Sequence, residues 1–298
     1  MNFDKELEVR TKLANQAINE WLPKARNSPG ELIEAMKYSV LAGGKRVRPI
    51  LMGECYKLFG GDKSDIVPFQ AAIEFVHTAS LVHDDLPAID NDLIRRGKKT
   101  THAQYGEAIG ILAGDALLNY AYEVLIEGVL KAGRREFALR AANIIAEKSG
   151  YHGMLGGQDV DVEVEKKGLK GDELEILDYI YEQKTAALIE ASMMAGAALA
   201  GADESKLHVL QEIGKRIGLA FQIQDDILDV TGTTQSMGKS VFSDLKNKKE
   251  TYVNLIGIEE ASEKVNTLTK EAIGMLKDIP GDTEFLRGMI YHLASRDK

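Results

Sequence analysis

The apolar residues of the chain recur at spacings of three and four along almost its whole length, and no segment alternates convincingly between apolar and polar positions. The first spacing places apolar side chains on one face of an α-helix, whereas alternation would indicate a half-buried strand. The pattern therefore predicts an all-α protein. We expect helices over residues 4–22, 29–41, 49–59, 64–85, 109–131, 134–148 and 172–201, and further amphipathic helices after Thr251.

Two aspartate clusters each close an apolar run of this pattern. The first is Asp84-Asp85-x4-Asp90, in which Pro87 removes a backbone donor and disfavours helix at the residue before it. A turn must therefore return Asp90 toward Asp84. The second is Asp225-Asp226-x2-Asp229, whose spacings of three and four predict that all three carboxylates crowd one surface of a helix.

Like charges that lie so close together repel, so a cation is expected among them wherever they line a cleft. Hard oxygen ligands without a nearby cysteine favour magnesium over zinc. Either cluster alone could instead be a solvated helix end. Two clusters that each end an apolar helix favour the cavity.

Composition and charge narrow the function further. A chain of 298 residues with 28% charged positions can bury a sizeable core, and without an evident linker we expect one domain over residues 1–298. The net charge of −9 argues against nucleic acid as a bulk partner. The start lacks a signal-peptide pattern, and the apolar stretch nearest to a membrane span, 186–200, is interrupted by Glu190, so we expect a cytoplasmic protein without an integral membrane segment. The single cysteine, Cys55, excludes an internal disulfide and is expected to fill the core.

Basic residues concentrate in two places despite the acidic total. In the loop Gly43-Gly44-Lys45-Arg46-Val47-Arg48-Pro49, the glycines break a helix, cations follow, and Pro49 suits the first turn of the next helix. The loop is either a solvated connection or an anion cradle, in which Arg48 grips phosphate oxygens. It is not a Walker A loop, because no strand precedes it. Arg95 and Arg96 follow the first aspartate cluster and either neutralise it or hold the anionic end of a substrate.

These motifs, together with Lys184-Thr185 and Phe221-Gln222, resemble in order and spacing the all-trans isoprenyl diphosphate synthases of the polyprenyl synthetase family. The first cluster carries the two extra residues of the bacterial farnesyl diphosphate synthase group. The resemblance implies a single antiparallel helix bundle around a deep central cavity, usually in a homodimer. It also implies a prenyltransferase that joins isopentenyl diphosphate to an allylic diphosphate, dimethylallyl or geranyl, and makes farnesyl diphosphate.

The same resemblance assigns roles to single residues. The metal ligands would be Asp84, Asp90, Asp225 and Asp229, with about three Mg²⁺ ions per active site that Mn²⁺ can replace. The allylic diphosphate would be held by Arg95, Lys184 and Lys239. Isopentenyl diphosphate would be held by Gly44, Lys45, Arg48, His77 and Arg96. Thr185 and Gln222 would flank the reacting carbons, and the expected catalytic residues are Lys184, Thr185, Gln222 and Arg95.

Ala79 departs from the farnesyl pattern. It stands five residues before Asp84, about 7.5 Å along a helix, where the bacterial farnesyl enzymes tend to carry an aromatic floor. The missing ring leaves the product room to grow, so geranylgeranyl diphosphate is the alternative product unless Phe75, one turn further down, is the floor.

Two rival functions are weighed against the synthase. A terpene cyclase would share the magnesium, the aspartates and the helices, but it would not need the second, basic diphosphate site. A non-catalytic subunit of a heteromeric synthase would be expected to have lost one aspartate cluster, and both clusters are present.

Overall fold

The computed structural model describes residues 1–24, 30–62, 64–231 and 250–295, and within these ranges the chain is helical almost throughout. The all-α prediction is therefore confirmed. The described α-helices are α1 (Phe3–Glu20), α2 (Leu32–Val40), α3 (Val47–Leu58), α4 (Val67–Asp84), α5 (Thr101–Tyr105), α6 (Glu107–Lys131), α7 (Arg135–Ser149), α8 (Met154–Lys167), α9 (Glu173–Ile180), α10 (Ala187–Ala200), α11 (Glu204–Thr231), α12 (Tyr252–Met275) and α13 (Glu284–Ala294).

Three short features interrupt or join these helices. The segment Tyr181–Ala186 is a π-helical turn that joins α9 to α10, so the helix predicted over 172–201 exists but changes its winding midway. Turns of 3₁₀-helix cover Ser64–Ile66 and Leu276–Asp278. The strands β1 (Ile94–Arg95) and β2 (Lys98–Lys99) form an antiparallel hairpin, which the sequence pattern does not predict because two residues are too few to show alternation.

Several helix ends follow the local signals in the sequence. Pro49 lies in the first turn of α3, as predicted, and α4 carries Pro68 in its first turn. The side chain of Asp172 accepts a hydrogen bond at the start of α9, and Thr251 does the same at the start of α12. The predicted start of the second helix at Pro29 lies outside the described residues.

Helix α10 runs through the middle of the core and is buried on nearly all sides. Its alanine, glycine and serine side chains are small enough for α3, α7 and α11 to pack closely around it. Helix α4 packs mainly against α6. One large hydrophobic cluster joins side chains from α1 to α13, and it includes Cys55, which is fully buried, so the prediction that this cysteine fills the core is confirmed.

A second, smaller hydrophobic cluster lies among α9, the π-helical turn, α11 and α12. Its members include Tyr181, Ile223 and Tyr252, all of them buried. Because Ile223 directly precedes the second aspartate cluster on α11, this packing fixes the helix that carries those carboxylates.

Among the described residues, helix α6 and not the stretch 186–200 comes nearest to a membrane-spanning segment. By length and composition alone it is apolar enough to cross a membrane, with a mean hydropathy of 1.4, whereas the stretch 186–200 does not qualify. Helix α6 has this high hydropathy because it carries apolar side chains on its outer face as well as on its inner face. Ile111, Leu112, Ile126 and Leu130 are each more than 40% exposed, and their spacing places them on one face.

Candidate active site

The first aspartate cluster forms the predicted loop at the end of α4. Helix α4 ends at Asp84, and the backbone N–H of Asp90 donates to the carbonyl of Asp84 at 2.9 Å. The turn that Pro87 requires therefore brings Asp90 back to Asp84, as predicted. Asp85 has a different role, because it is 3% exposed and accepts hydrogen bonds from Arg95 Nε at 2.7 Å and Nη2 at 2.6 Å. The side chains of Asp84 and Asp90 are half-buried.

The charge state of Asp84 shows what surrounds it. Burial raises the pKa of its carboxyl to about 6, and the neighbouring Asp90 and Asp85 act in the same direction. The Lys184 and Arg95 cations oppose the shift. Lys184 belongs to the π-helical turn and not to α4, so the two segments face each other across this site.

The π-helical turn holds the predicted lysine and threonine in place. Lys184 Nζ forms an ion pair with Asp161 Oδ2 of α8 at 2.6 Å, and both side chains are largely buried. A Cβ atom on Gly157 would lie 2.2 Å from the backbone N of Lys184, so only glycine lets α8 approach the turn this closely. Gly157 thus serves packing, and Asp161 is the partner of Lys184.

Thr185 connects the π-helical turn to the second aspartate helix. Its Oγ1 donates to Gln222 Oε1 at 2.9 Å, so the two residues lie together. Gln222 stands on α11, three residues before Asp225. The charge of Lys184 acts on Asp84, and the neighbouring Thr185 is hydrogen-bonded to the helix that carries the second aspartate cluster.

The second aspartate cluster is divided between two environments. Asp225 is half-buried, and Asp229 is buried with 6% exposure. Asp226 is 2% exposed, and its Oδ2 accepts hydrogen bonds from Tyr181 Oη at 2.7 Å and from the backbone N of Tyr252 at 3.1 Å. Asp226 thus differs from Asp225, because donors on two other elements hold its carboxylate.

The basic loop after α2 folds against α4 and the hairpin. Arg46 is buried and fixes the loop from within, because its guanidinium donates to Glu74 at 2.6 Å, to Asn15 at 3.0 Å and to the Val40 carbonyl at 2.8 Å. Its backbone adopts a left-handed conformation with φ of 51°. Arg46 is thus a structural residue, and the other cations of the loop surround the candidate binding site.

Arg48, His77 and Arg96 come together beside this loop. The Nε of Arg48 is buried and has no hydrogen-bond partner among the described residues, and burial lowers the pKa of its guanidinium to about 10. Burial, Arg48 and Arg96 hold the pKa of His77 well below its ordinary value, so the imidazole is neutral at pH 7. Burial likewise lowers the pKa of Arg96. An anion placed here would satisfy the buried donor and relieve the repulsion among the arginines.

Gly44 allows the loop to approach Arg96. Arg96 donates from Nη1 to the Gly43 carbonyl, and a Cβ atom on Gly44 would lie 2.7 to 2.8 Å from the guanidinium atoms. The φ of Gly44 is +130°, which L side chains rarely adopt. Lys45 stands exposed in the same loop, and the remaining predicted diphosphate ligand, Lys239, lies outside the described residues.

Oxygen ligands for a metal are present, but they do not form a closed cage. Among the described residues, no group of three or more His, Cys, Asp or Glu side chains is arranged to hold an ion alone. Carboxylates on two facing segments suit Mg²⁺, which keeps several waters and commonly binds through one or two carboxylates plus substrate phosphates. The residues present therefore fit magnesium carried with a diphosphate better than a resident structural metal.

The proposed floor of the substrate shaft lies on α4 below the first aspartate cluster. Ala79 is 2% exposed and Phe75 is fully buried. The ring of Phe75 contacts that of Tyr120 on α6, with centroids 5.7 Å apart. An aromatic pair between α4 and α6 thus lies one helical turn below Ala79.

Comparison with known proteins gives one consistent family. The polyprenyl synthetase family model matches residues 29–285. The chain is 42% identical to farnesyl diphosphate synthase of Micrococcus luteus over 99% of this chain and 100% of the relative. It is 41% identical to geranylgeranyl diphosphate synthase of Cyanophora paradoxa over 89% of this chain and 87% of the relative.

Solved structures agree with the sequence comparison. An FPP/GFPP synthase from Zymomonas mobilis superposes with a TM-score of 0.85 at 32% identity, covering 99% of both chains. A geranyltransferase from Helicobacter pylori, complexed with magnesium and isoprenyl diphosphate, superposes with a TM-score of 0.78 at 32% identity and covers 95% of this chain and 96% of its own. Both are similar to this chain over nearly its whole length.

Proposed function

The chain belongs to the polyprenyl synthetase family and is a trans-prenyltransferase, and we propose that it condenses isopentenyl diphosphate with dimethylallyl and geranyl diphosphate to give farnesyl diphosphate. The observation that carries this proposal is the pairing of two anion sites in one place. Carboxylates and Lys184 face each other on one side, and a buried, unpaired Arg48 donor stands beside neutral His77 on the other. A terpene cyclase would need only the first.

The allylic diphosphate belongs on the side of the aspartates. Asp84, Asp90, Asp225 and Asp229 are the residues that would hold Mg²⁺, which when bound neutralises the negative charge that develops on the departing diphosphate. The magnesium in the Helicobacter pylori geranyltransferase supports this cofactor, and about three ions, replaceable by Mn²⁺, are part of the proposal. Lys184, fixed by Asp161, adds a positive charge that stays in place during the reaction.

Lys239 completes the proposed ligand set for the allylic diphosphate. Arg95 acts there through its charge, and its hydrogen bond and ion pair with Asp85 fix its guanidinium.

Isopentenyl diphosphate belongs in the cationic site of Gly44, Lys45, Arg48, His77 and Arg96. The arginines offer planar donors to phosphate oxygens, and the neutral imidazole of His77 donates or accepts a hydrogen bond without adding charge.

Thr185 and Gln222, which are hydrogen-bonded to each other, would flank the reacting carbons. The apolar helices around them exclude water, which protects the allylic cation.

The product length rests on Ala79 and Phe75. We propose that the Phe75–Tyr120 pair is the floor of a shaft for a fifteen-carbon product, and the small Ala79 above it makes geranylgeranyl diphosphate the second candidate product. The curated relatives with either product name are about equally similar to this chain, so identity does not decide between the two.

We further propose that the chain forms a homodimer through the outer face of α6. Its exposed Ile111, Leu112, Ile126 and Leu130 form an apolar face that a second copy would cover. An apolar face is unfavourable in water, and a permanent partner that covers it removes it from water. Such a face is therefore typical of an obligate dimer. Sedimentation should give twice the chain mass of 32.7 kDa, and Ile126→Glu should give the single-chain mass, whereas the control Val9→Glu on α1 should not.

The remaining proposals concern the domain and its location. Residues 1–298 form one domain, which is supported by a core cluster that joins α1 to α13. We also place the enzyme in the cytoplasm without an integral membrane segment, with α6 covered by protein and not by lipid.

One incubation tests the function. The purified chain, magnesium, dimethylallyl diphosphate and labelled isopentenyl diphosphate should give labelled prenyl alcohols after phosphatase treatment, sized by chromatography. Asp84→Asn should lower turnover about 10²- to 10³-fold, whereas Asp159→Asn, on the exposed side of α8, should not. Diphosphate release without isopentenyl diphosphate, or no elongation at all, would contradict the proposal.

A further inference from the structure

Asp226 is the member of the second aspartate cluster that the reaction as described leaves without a role. It is 2% exposed, whereas its neighbour Asp225 is half-buried. Its Oδ2 accepts hydrogen bonds from Tyr181 Oη at 2.7 Å and from the backbone N of Tyr252 at 3.1 Å. These contacts join α11 to two elements that are distant in sequence.

The two residues that donate these hydrogen bonds to Asp226 each begin a structural element. Tyr181 is the first residue of the π-helical turn that presents Lys184 and Thr185. Tyr252 is the first residue of α12, and the positive end of that helix's dipole favours a carboxylate at this place. The ionised form of Asp226 is thus satisfied by protein groups, without a metal ion.

The two tyrosines form one unit with the carboxylate. Their rings lie 5.6 Å apart, and Tyr252 Oη donates to Asp178 on α9. Burial and Asp178 raise the pKa of Tyr252, so its hydroxyl stays protonated and remains a donor. Asp178, Tyr181, Asp226 and Tyr252 thus link α9, the π-helical turn, α11 and α12 around one buried point.

We propose that Asp226 is a positioning residue for prenyl transfer: through Tyr181 it sets the π-helical turn with Lys184 and Thr185 opposite Asp225. This inference rests on the proposed function. It separates the two adjacent aspartates, since Asp225 acts on the metal and Asp226 acts on the placement of the opposing residues. A turn that shifts by a few tenths of an ångström would misplace a fixed positive charge and the Thr185–Gln222 pair, which lowers turnover more than substrate binding.

The test compares substitutions that keep or remove the hydrogen bonds. Asp226→Asn keeps a carbonyl oxygen that accepts from both donors, so kcat should stay within about threefold of wild type. Asp226→Ala removes the acceptor, and kcat should fall on the order of 100-fold. Tyr181→Phe should lower kcat about 10-fold, and adding it to Asp226→Ala should cause no further loss.

Two controls separate positioning from metal binding and from loss of folding. Asp225→Asn should raise the magnesium concentration for half-maximal rate, whereas Asp226→Asn and Tyr181→Phe should leave it unchanged. Tyr179→Phe removes an exposed hydroxyl two residues from Tyr181 and should have wild-type kcat. Circular dichroism establishes that each variant is folded at the assay temperature. If Asp226→Ala does not fold, the two single variants Asp226→Asn and Tyr181→Phe still test the inference.

Two results would overturn the inference. If Asp226→Asn raises the magnesium requirement as Asp225→Asn does, Asp226 is a metal ligand. If Tyr181→Phe turns over like wild type, the contact is packing alone. Failure of the proposed function would be seen separately, because the wild-type chain would not elongate isopentenyl diphosphate.

Discussion

Replacing Gly44 with alanine tests the isopentenyl diphosphate site with a single methyl group. The new Cβ would lie 2.7 to 2.8 Å from the Arg96 guanidinium, whereas ordinary contacts begin near 3.4 Å. The guanidinium is the end of a flexible side chain, so the protein accommodates the methyl by moving Arg96 by more than half an ångström. The fold keeps its core, and the binding site loses a placed cation.

The size of the effect follows from what Arg96 donates. A hydrogen bond to a charged group contributes about 1.5 to 3 kcal/mol, and each 1.4 kcal/mol is tenfold in affinity. The KM for isopentenyl diphosphate should therefore rise roughly 10- to 150-fold in Gly44→Ala. The KM for the allylic substrate, bound on the aspartate side, should change less than threefold.

Gly43 supplies a matched control. Its φ is +101°, so alanine there meets the same kind of backbone strain, of about 1 to 2 kcal/mol, but its Cβ would meet no atom within 4 Å. Both variants should lose similar stability in urea, and only Gly44→Ala should lose affinity for isopentenyl diphosphate. Equal KM values in the two variants, or an unchanged KM in Gly44→Ala, would refute the assignment of Arg96 to this substrate.

Three further outcomes are expected. Ala79→Tyr should eliminate any product longer than fifteen carbons on chromatography while costing less than about 1 kcal/mol of stability, since the proposed shaft receives the ring; a twenty-carbon product in this variant, or an overpacking cost of about 1 to 3 kcal/mol, would place the shaft elsewhere. Because the pKa of Asp84 is raised to about 6, protons compete with magnesium for this carboxylate below that pH. The magnesium concentration for half-maximal rate should rise about tenfold per pH unit below pH 6 and be constant above pH 7. A constant value down to pH 5 would contradict this. Glu74→Gln leaves the 3%-exposed Arg46 without its anionic partner and should lower the free energy of unfolding by about 3 to 5 kcal/mol in urea, whereas a loss below 1 kcal/mol would show that the pair is dispensable.

Much of the site is predictable because its positions follow from local rules. Pro87 dictates a turn after α4, and that turn returns Asp90 to Asp84. The helical periodicity places Gln222 on the same helix as Asp225. The motif resemblance expects Gln222 and Thr185 to flank the reacting carbons, and the structure joins the two residues by a hydrogen bond.

The rest depends on packing between segments that are distant in sequence. The spacing rule treats Asp226 like its neighbours, but Tyr181 and Tyr252 hold it by contacts that no local pattern reveals. In the sequence, Arg46 cannot be distinguished from the other cations of its loop. The structure shows that it pairs in the core with Glu74, 28 positions away. A π-helical turn likewise has no periodicity of its own within six residues, so the sequence predicts one continuous helix there.

The π-helical turn also constrains how this segment can evolve. Each residue advances an α-helix by about 100°, and the wider turn absorbs an extra residue between α9 and α10. Deleting one residue from Tyr181–Ala186 would restore regular winding but rotate Lys184 away from Asp161 relative to α10. A substitution in this segment alters one side chain. An insertion or deletion instead rotates all residues before the segment, about the helix axis, relative to those after it. Among homologues, this stretch should therefore align without gaps.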